Sequence, residues 1–518
     1  MGDPRLMRHL YRAAFAVTVS LLPLAAFAQT QTPGPPPGTS DAGKKPEVHI
    51  TPKEAEALFK SVDEIQGFAA KDSGLHSSRP VKKVLITRDA VTKYLKQKFD
   101  EDEGAKRMER SEIVLKKFGL LDRDFDLKPF LLSLLTEQIA GYYDNKTKTI
   151  NLLDWVDAET QKPVMAHELT HALQDQHVDL TKWGDQGLKD IAKNVQQDNA
   201  HIKNDEVDTT REAVLEGQAM VVFVDYSMKD TGRTLADVPE ELMGRMKDML
   251  SGTESSPVLA RAPLILQQSL LFPYANGLTF EQSILRRSGV QKAFTGVLDD
   301  PPVNTSQIMH PDSYVTKAPQ PLIHLADIHP LIEKDYTPYD VGVLGEFDVH
   351  MLAELFAGPQ MADALAPAWA GGVYYAALKK NVPATTGNLG LLYYSRWKNT
   401  DSAESFQKLY TAQLARKYSG LQRRQDDEKE GEQVYSTSEG DVLVSTMGSG
   451  VFTSEGFPLD MARKLRDQIT SNQGEGPTRL ALQPLSAPLV TGFARLGAMK
   501  AGIHAAERYT QSLAPTGE

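Results

Sequence analysis

Apolar residues recur at helical spacing over much of this chain of 518 residues. The segment Thr51-Pro52-Lys53-Glu54 is a capping box with proline at the first helical position, so a helix should begin there. Periodicity of the same kind predicts helices over 51–70, 105–118, 128–139, 208–228, 344–357, 402–417 and 459–470.

Short β-prone runs interrupt this helical pattern. Residues 81–87 predict a strand, and 141–152 contain two short runs about a polar turn, which is a hairpin signal. Residues 434–452 alternate β-branched and polar side chains as a meander does. We therefore expect an α+β fold that is mainly helical, with a small edge hairpin and a C-terminal α/β extension.

Two other stretches are rich in turn-forming residues. They cover 272–277, with Pro273 and Gly277, and 301–311, which ends in His310-Pro311. We expect both to cover the cleft or to cap helices. His310 is a candidate for stabilising an oxyanion in a transition state, although a lone histidine before proline is also common as a structural residue.

The most informative motif is His167-Glu168-Leu169-Thr170-His171. On a helix it projects two imidazoles from one face, one turn apart, as a tetrahedral zinc ion requires. Glu168 is too close to His167 to complete the ligand set, but it can accept a proton from a water at the metal. The alternative is a surface helix that carries two solvated histidines.

A third ligand is expected from the helix predicted over 208–228. Glu216 is the best candidate, and Gly217 beside it would let that helix approach the metal helix closely. Glu212 lies one turn away on the same face. His177 also has a suitable spacing for a third histidine, but it could bind only if the helix ended before it, and Gln174 is not a residue that favours such a break.

The N-terminus predicts export. Arg5, Arg8 and Arg12 precede an apolar run that ends at Ala26-Phe27-Ala28, so 1–28 is typical of a cleavable signal peptide, with an uncleaved anchor as the alternative. No later stretch reaches eighteen consecutive apolar residues, which predicts no stable membrane span after cleavage. Cysteine is absent, so neither disulfides nor a lipid-modified cysteine can contribute.

Composition divides the rest of the chain. A flexible linker rich in proline and glycine is predicted over 29–48. It is followed by a catalytic domain over 49–330, a helical part over 331–420 that packs on it, and a β-meander and helix region over 430–518. The net charge of −11 argues against nucleic acid as a partner.

The chain resembles the gluzincin group of zincin metallopeptidases, in which two histidines of a helical His-Glu-x-x-His and a glutamate from a later helix hold zinc. The run from His167 to Gln176, with Gly141-Tyr142-Tyr143-Asp144 upstream, is also similar to a family of secreted bacterial zincin-like proteins. The likeness extends over about 51–410 and includes Leu215-Glu216-Gly217-Gln218-Ala219, Pro301-Pro302, His310-Pro311, Leu344-Gly345-Glu346, Trp369 to Gly372 and Trp397 to Phe406.

This resemblance implies a zincin-like catalytic domain with His167, His171 and Glu216 as Zn2+ ligands and Glu168 as the base. One position departs from it. Gluzincins often place an aspartate four residues after the ligand glutamate to orient a histidine, and this chain has Met220 there.

The function expected from the sequence is therefore that of a secreted or periplasmic zinc-dependent metallopeptidase that acts on a peptide or protein in the cell envelope or outside the cell. The 141–152 hairpin could hold the extended substrate by strand addition, or it could be only a sheet edge. The alternatives in function are a non-catalytic envelope binding or scaffold protein and a zinc amidohydrolase acting on cell-wall cross-links.

Overall fold

The protein is α+β in the computed structural model, which describes residues 49–91, 93, 103–138, 141–184, 193–239, 242–243 and 256–471. The predicted signal peptide and linker, and the C-terminal residues after Ser471, lie outside the described residues. The described α-helices of five or more residues are α1 Pro52–Ser73, α2 Glu103–Phe118, α3 Leu127–Gln138, α4 Ala158–Val178, α5 Leu180–Gly184, α6 Val195–Asn204, α7 Val207–Met228, α8 Leu264–Ser288, α9 Thr305–Met309, α10 Pro311–Val315, α11 Glu346–Ala357, α12 Pro359–Leu365, α13 Thr400–Lys417 and α14 Leu459–Ser471.

A small sheet lies beside the motif helix α4. Its strands are β1 Lys82–Ile86, β2 Tyr142–Asp144 and β3 Thr149–Leu153, in the order β1-β3-β2. β1 runs parallel to β3, and β2 pairs antiparallel with β3, as the hairpin signal predicted. The capping box at Thr51 is also confirmed, because Thr51 and Glu54 exchange hydrogen bonds at the start of α1.

The second sheet has seven strands, β4 Tyr336–Gly342, β5 Trp369–Lys379, β6 Leu389–Trp397, β7 Gln422–Arg423, β8 Glu432–Thr437, β9 Gly440–Met447 and β10 Gly450–Glu455. Their order is β4-β5-β6-β10-β9-β8-β7 and every pair is antiparallel. The meander predicted over 434–452 is confirmed.

The description of 331–420 as a helical part is wrong, because β4, β5 and β6 lie within it. Most residues of β5 and all but one of β6 are buried, so neither strand shows the alternation of apolar and polar residues that marks a half-exposed strand. Since β6 pairs with β10, the expected division between 420 and 430 runs through a single sheet.

Helices α7 and α8 cross in direct contact at two glycines. A Cβ on Gly217 would lie 2.4 Å from the carbonyl carbon of Gly277, and a Cβ on Gly277 would lie 2.1 Å from the Ala213 oxygen. Gly217 therefore allows α7 to approach α8 closely. The expectation that this glycine lets α7 approach the motif helix α4 is wrong. The turn-forming residues at 272–277 do not produce a turn, because this segment lies inside α8 in spite of Pro273.

A buried cluster of charges joins α2 to the second sheet. The Lys117 side chain is fully buried, and its Nζ donates to Thr386 O and to Glu439 Oε2, both at 2.9 Å. Next to it, Lys417 of α13 pairs with the buried Glu455 of β10 at 2.5 Å. Burial lowers the pKa of Lys417 to about 8, against the opposing influence of Glu455.

None of the described helices combines the length and the apolar composition that a membrane span requires.

The glycine crossing can be tested with Gly277→Ala. We expect it to lower the free energy of unfolding by about 3 kcal/mol, because its methyl group would overlap the Ala213 carbonyl and force the helices apart. Denaturant unfolding measures the change. The matched control is Gly67→Ala in α1, where no atom lies within 4 Å of the new methyl, and which should raise stability by about 0.5–1 kcal/mol. Equal effects at the two sites would contradict the close crossing.

Candidate metal centre

The motif helix α4 is a continuous helix whose central part is buried. Asp157 caps its start by accepting hydrogen bonds from the backbone of Glu159 and Thr160, and the helix then runs without a break to Val178. Both motif histidines are buried, with His167 8% and His171 7% exposed. The alternative of a surface helix with two solvated histidines is therefore wrong.

The structure brings three predicted side chains together. His167 Nε2 lies 3.1 Å from His171 Nε2 and 3.0 Å from Glu216 Oε2, and His171 Nε2 lies 3.5 Å from Glu216 Oε1. A tetrahedral zinc ion about 2.0–2.1 Å from each donor requires the donors to be about 3.3 Å apart. The three separations are close to that value, so these residues fit a zinc ion.

The polar atoms of this group also fit a cation. Glu216 Oε2 is buried and accepts no hydrogen bond, although it is close to His167. Burial alone would raise the pKa of Glu216, but the facing histidines hold it well below its ordinary value. Burial would lower the pKa of His171, but the charge of Glu216 raises it to about 9. A buried carboxylate thus draws positive charge into this space, where a metal ion would displace the protons.

Glu168 lies beside the group, and β2 holds it in place. Its Oε2 accepts a hydrogen bond of 2.8 Å from Tyr143 N, and burial raises its pKa against the opposing influence of His167 and His171. In an antiparallel strand only alternate residues direct their N–H away from the partner strand. Tyr143 is the middle residue of three-residue β2, and Glu168 accepts its outward N–H. An added strand would need that N–H, so this contact favours the interpretation of β2 as a sheet edge that positions Glu168, and it disfavours strand addition by a substrate.

Tyr143 is fixed at its other end by Asp175, a residue that the sequence reasoning missed. The phenol donates to Asp175 Oδ2 at 2.9 Å, and Asp175 also accepts from Lys148 Nζ at 2.6 Å and from Leu180 N at 3.1 Å. Asp175 stands two turns after Glu168 on α4, but nothing in the sequence pairs it with the hairpin. This contact ties the edge strand to the motif helix.

The competing ligands lie elsewhere. Among the described residues, the possible ligand set comprises His167, His171 and Glu216, without Glu212 or His177. His177 Nε2 instead lies 2.9 Å from Asp299 Oδ1. The break in α4 that a third histidine would require does not occur.

The two turn-rich stretches contribute differently. Tyr274 of α8 lies against the metal centre, since its ring is stacked 6.2 Å from the ring of His167 at an angle of 19°. His310 Nε2 lies 2.6 Å from Glu346 Oε1, and this hydrogen bond raises the pKa of His310. Glu346 also accepts from Ser306 Oγ at 2.7 Å. A role of His310 in stabilising an oxyanion stays a prediction.

Comparisons of the chain with protein-family models, with curated proteins and with solved structures find no match. Function is therefore inferred from the chemistry of the site itself.

The link between β2 and α4 can be tested with Tyr143→Phe. Loss of the hydrogen bond to buried Asp175 should lower the free energy of unfolding by about 1–2 kcal/mol, measured by denaturant titration. Tyr435→Phe is the control, because its hydroxyl bonds only a half-buried Gln433 two residues away, and it should cost less than about 0.5 kcal/mol. A Tyr143→Phe protein as stable as the unaltered chain would show that this bond does not hold the strand.

Proposed function

We propose that this protein is a zinc-dependent metallopeptidase with a gluzincin-like, zincin-type catalytic domain. The observation that carries the proposal is the convergence of His167, His171 and Glu216, whose donor atoms all lie within 4.8 Å of one another. Two imidazoles and one carboxylate are the ligand set of many hydrolytic zinc sites, which keep a fourth position open. Glu168 lies beside these three residues and supplies the carboxylate that hydrolysis needs as a general base.

The three ligands would hold Zn2+, which when bound would polarise a peptide carbonyl and make a nearby water more acidic. Glu168 acts as the general base. Tyr143 N–H fixes its Oε2, which leaves Oε1 to take the proton of the attacking water and later to pass it to the leaving amine. Burial raises the pKa of Glu168, which makes it a stronger proton acceptor than an exposed carboxylate.

The substrate proposed is a peptide or protein in the cell envelope or outside the cell. Support for this location comes from the sequence, where 1–28 has the order of a cleavable signal peptide.

The proposed ligands are about nine-tenths buried, with side-chain exposures of 10% for His167, 9% for His171 and 11% for Glu216. Such burial excludes bulk water, which strengthens the electrostatic interactions that stabilise the transition state.

Glu168→Gln tests the base. The amide keeps the shape and can still face Tyr143, but it cannot accept the proton of the water, so hydrolysis should fall at least about 100-fold while zinc stays bound. Zinc content and cleavage of a proteome-derived peptide library are the measurements. Activity within about tenfold of the unaltered protein would show that another group is the base.

The unaltered protein provides the controls for this experiment. Bound zinc without cleavage of any peptide would favour the envelope scaffold, and digestion of peptidoglycan without cleavage of peptides would favour the amidohydrolase. Absence of zinc binding would overturn the proposal.

Glu216→Ala and His177→Ala form a matched pair for the third ligand. Glu216→Ala leaves two histidines and should raise the zinc Kd by more than about 100-fold, whereas His177→Ala removes only a half-exposed contact to Asp299 and should leave it unchanged within about threefold. Competition with a chelator measures both constants, and circular dichroism checks that both variants fold. The opposite order would assign the third ligand to His177.

A further inference from the structure

His171 is oriented by a glutamine of its own helix. Its Nδ1 lies 2.8 Å from Gln174 Oε1, while its Nε2 faces His167 and Glu216. An amide oxygen only accepts hydrogen bonds, so Nδ1 must carry the hydrogen. In the neutral ring, Nε2 then has a free lone pair directed at the metal centre.

The contacts of Gln174 determine which end of its amide faces the histidine. Its Nε2 donates to Leu215 O at 3.1 Å and to Gln218 Oε1 at 2.9 Å, so both amide hydrogens have acceptors on α7. Rotating the amide by half a turn would set its oxygen against two other oxygens. The side chain is fully buried, so water cannot compensate for that loss.

Gln218 is fixed in the same manner. Its Nε2 donates to Ala293 O at 2.9 Å and to Phe294 O at 3.1 Å, two carbonyls of the π-helical turn Lys292–Gly296. Its oxygen must then face Gln174. Each group therefore donates to the next in one direction, from His171 through two fully buried amides to two main-chain carbonyls.

We infer that Gln174 and Gln218 are positioning residues that hold His171 in the Nδ1–H form, so that its Nε2 is preorganised to bind zinc. This inference rests on the proposed function. An amide orients the ring without adding a negative charge to the buried site.

The experiment measures zinc binding by the full chain, with competing chelator, for four variants. Gln174→Leu should raise the zinc Kd by about 10–100-fold, as for other groups that orient a ligating histidine. Gln218→Met should raise it by about 3–10-fold, because only Leu215 O is then left to fix the amide of Gln174. Gln174→Glu keeps an acceptor for Nδ1 but sets its second oxygen against Leu215 O and Gln218 Oε1, so it should bind zinc more tightly than Gln174→Leu while being less stable than the unaltered chain.

Gln161→Leu is the matched control. Gln161 is a fully buried glutamine of the same helix, and it makes three comparable hydrogen bonds, to Leu153 N at 3.1 Å, Leu153 O at 3.0 Å and Val156 O at 2.8 Å. None of these contacts leads to the metal centre. Its substitution should destabilise the fold as Gln174→Leu does, yet leave the zinc Kd unchanged. The absorption spectrum of bound Co2+ should likewise change for Gln174→Leu and not for Gln161→Leu.

The outcomes separate the inference from the function on which it rests. If the unaltered chain binds no zinc, both are overturned. If it binds zinc and Gln174→Leu binds it equally well, only the inference is overturned. Should Gln174→Leu fail to fold, Gln218→Met tests the inference. A zinc Kd of Gln218→Met equal to that of the unaltered chain would then refute it.

Discussion

The close crossing of α7 and α8 at Gly217 and Gly277 is the contact on which the candidate metal centre depends. Adjacent residues on a helix point about 100° apart, so α7 can press Gly217 against α8 while Glu216 points to the histidines of α4. A side chain at either glycine would shift α7 away from α8 and carry Glu216 with it. The carboxylate of Glu216 is therefore positioned by a neighbouring glycine whose own contact is with α8.

The local parts of the candidate site could be predicted from the sequence because the residues that form them lie only a few positions apart in the chain. His167, Glu168 and His171 follow from one helical turn, and the β2-β3 hairpin follows from two β-prone runs about a polar turn. Glu216 required only the further idea that a second helix must supply a carboxylate. The motif and the hairpin depend on neighbours in the chain, whereas Glu216 comes from a separate helix.

Features that depend on distant neighbours could not be predicted in this way. The helix through Pro273 forms because α7 covers it, and β5 and β6 are too thoroughly buried to show alternation. Asp175 and Gln174 have ordinary polar side chains, and their partners lie on the hairpin and on α7. The sequence around Gln174 does not indicate that both the oxygen and the nitrogen of its amide make buried hydrogen bonds.

The buried Lys117 has a consequence for the modularity of the chain. Its ammonium group comes from α2, in the part expected to be catalytic, and its acceptors Thr386 and Glu439 belong to the part expected to be an extension. A fragment that stopped at residue 330 would keep the lysine and lose both acceptors, and it would expose the neighbouring Phe118, whose ring packs on Tyr374 and Tyr393 of the second sheet. The portion that carries the candidate metal centre thus shares its interior with the second sheet, and truncation would remove part of that interior.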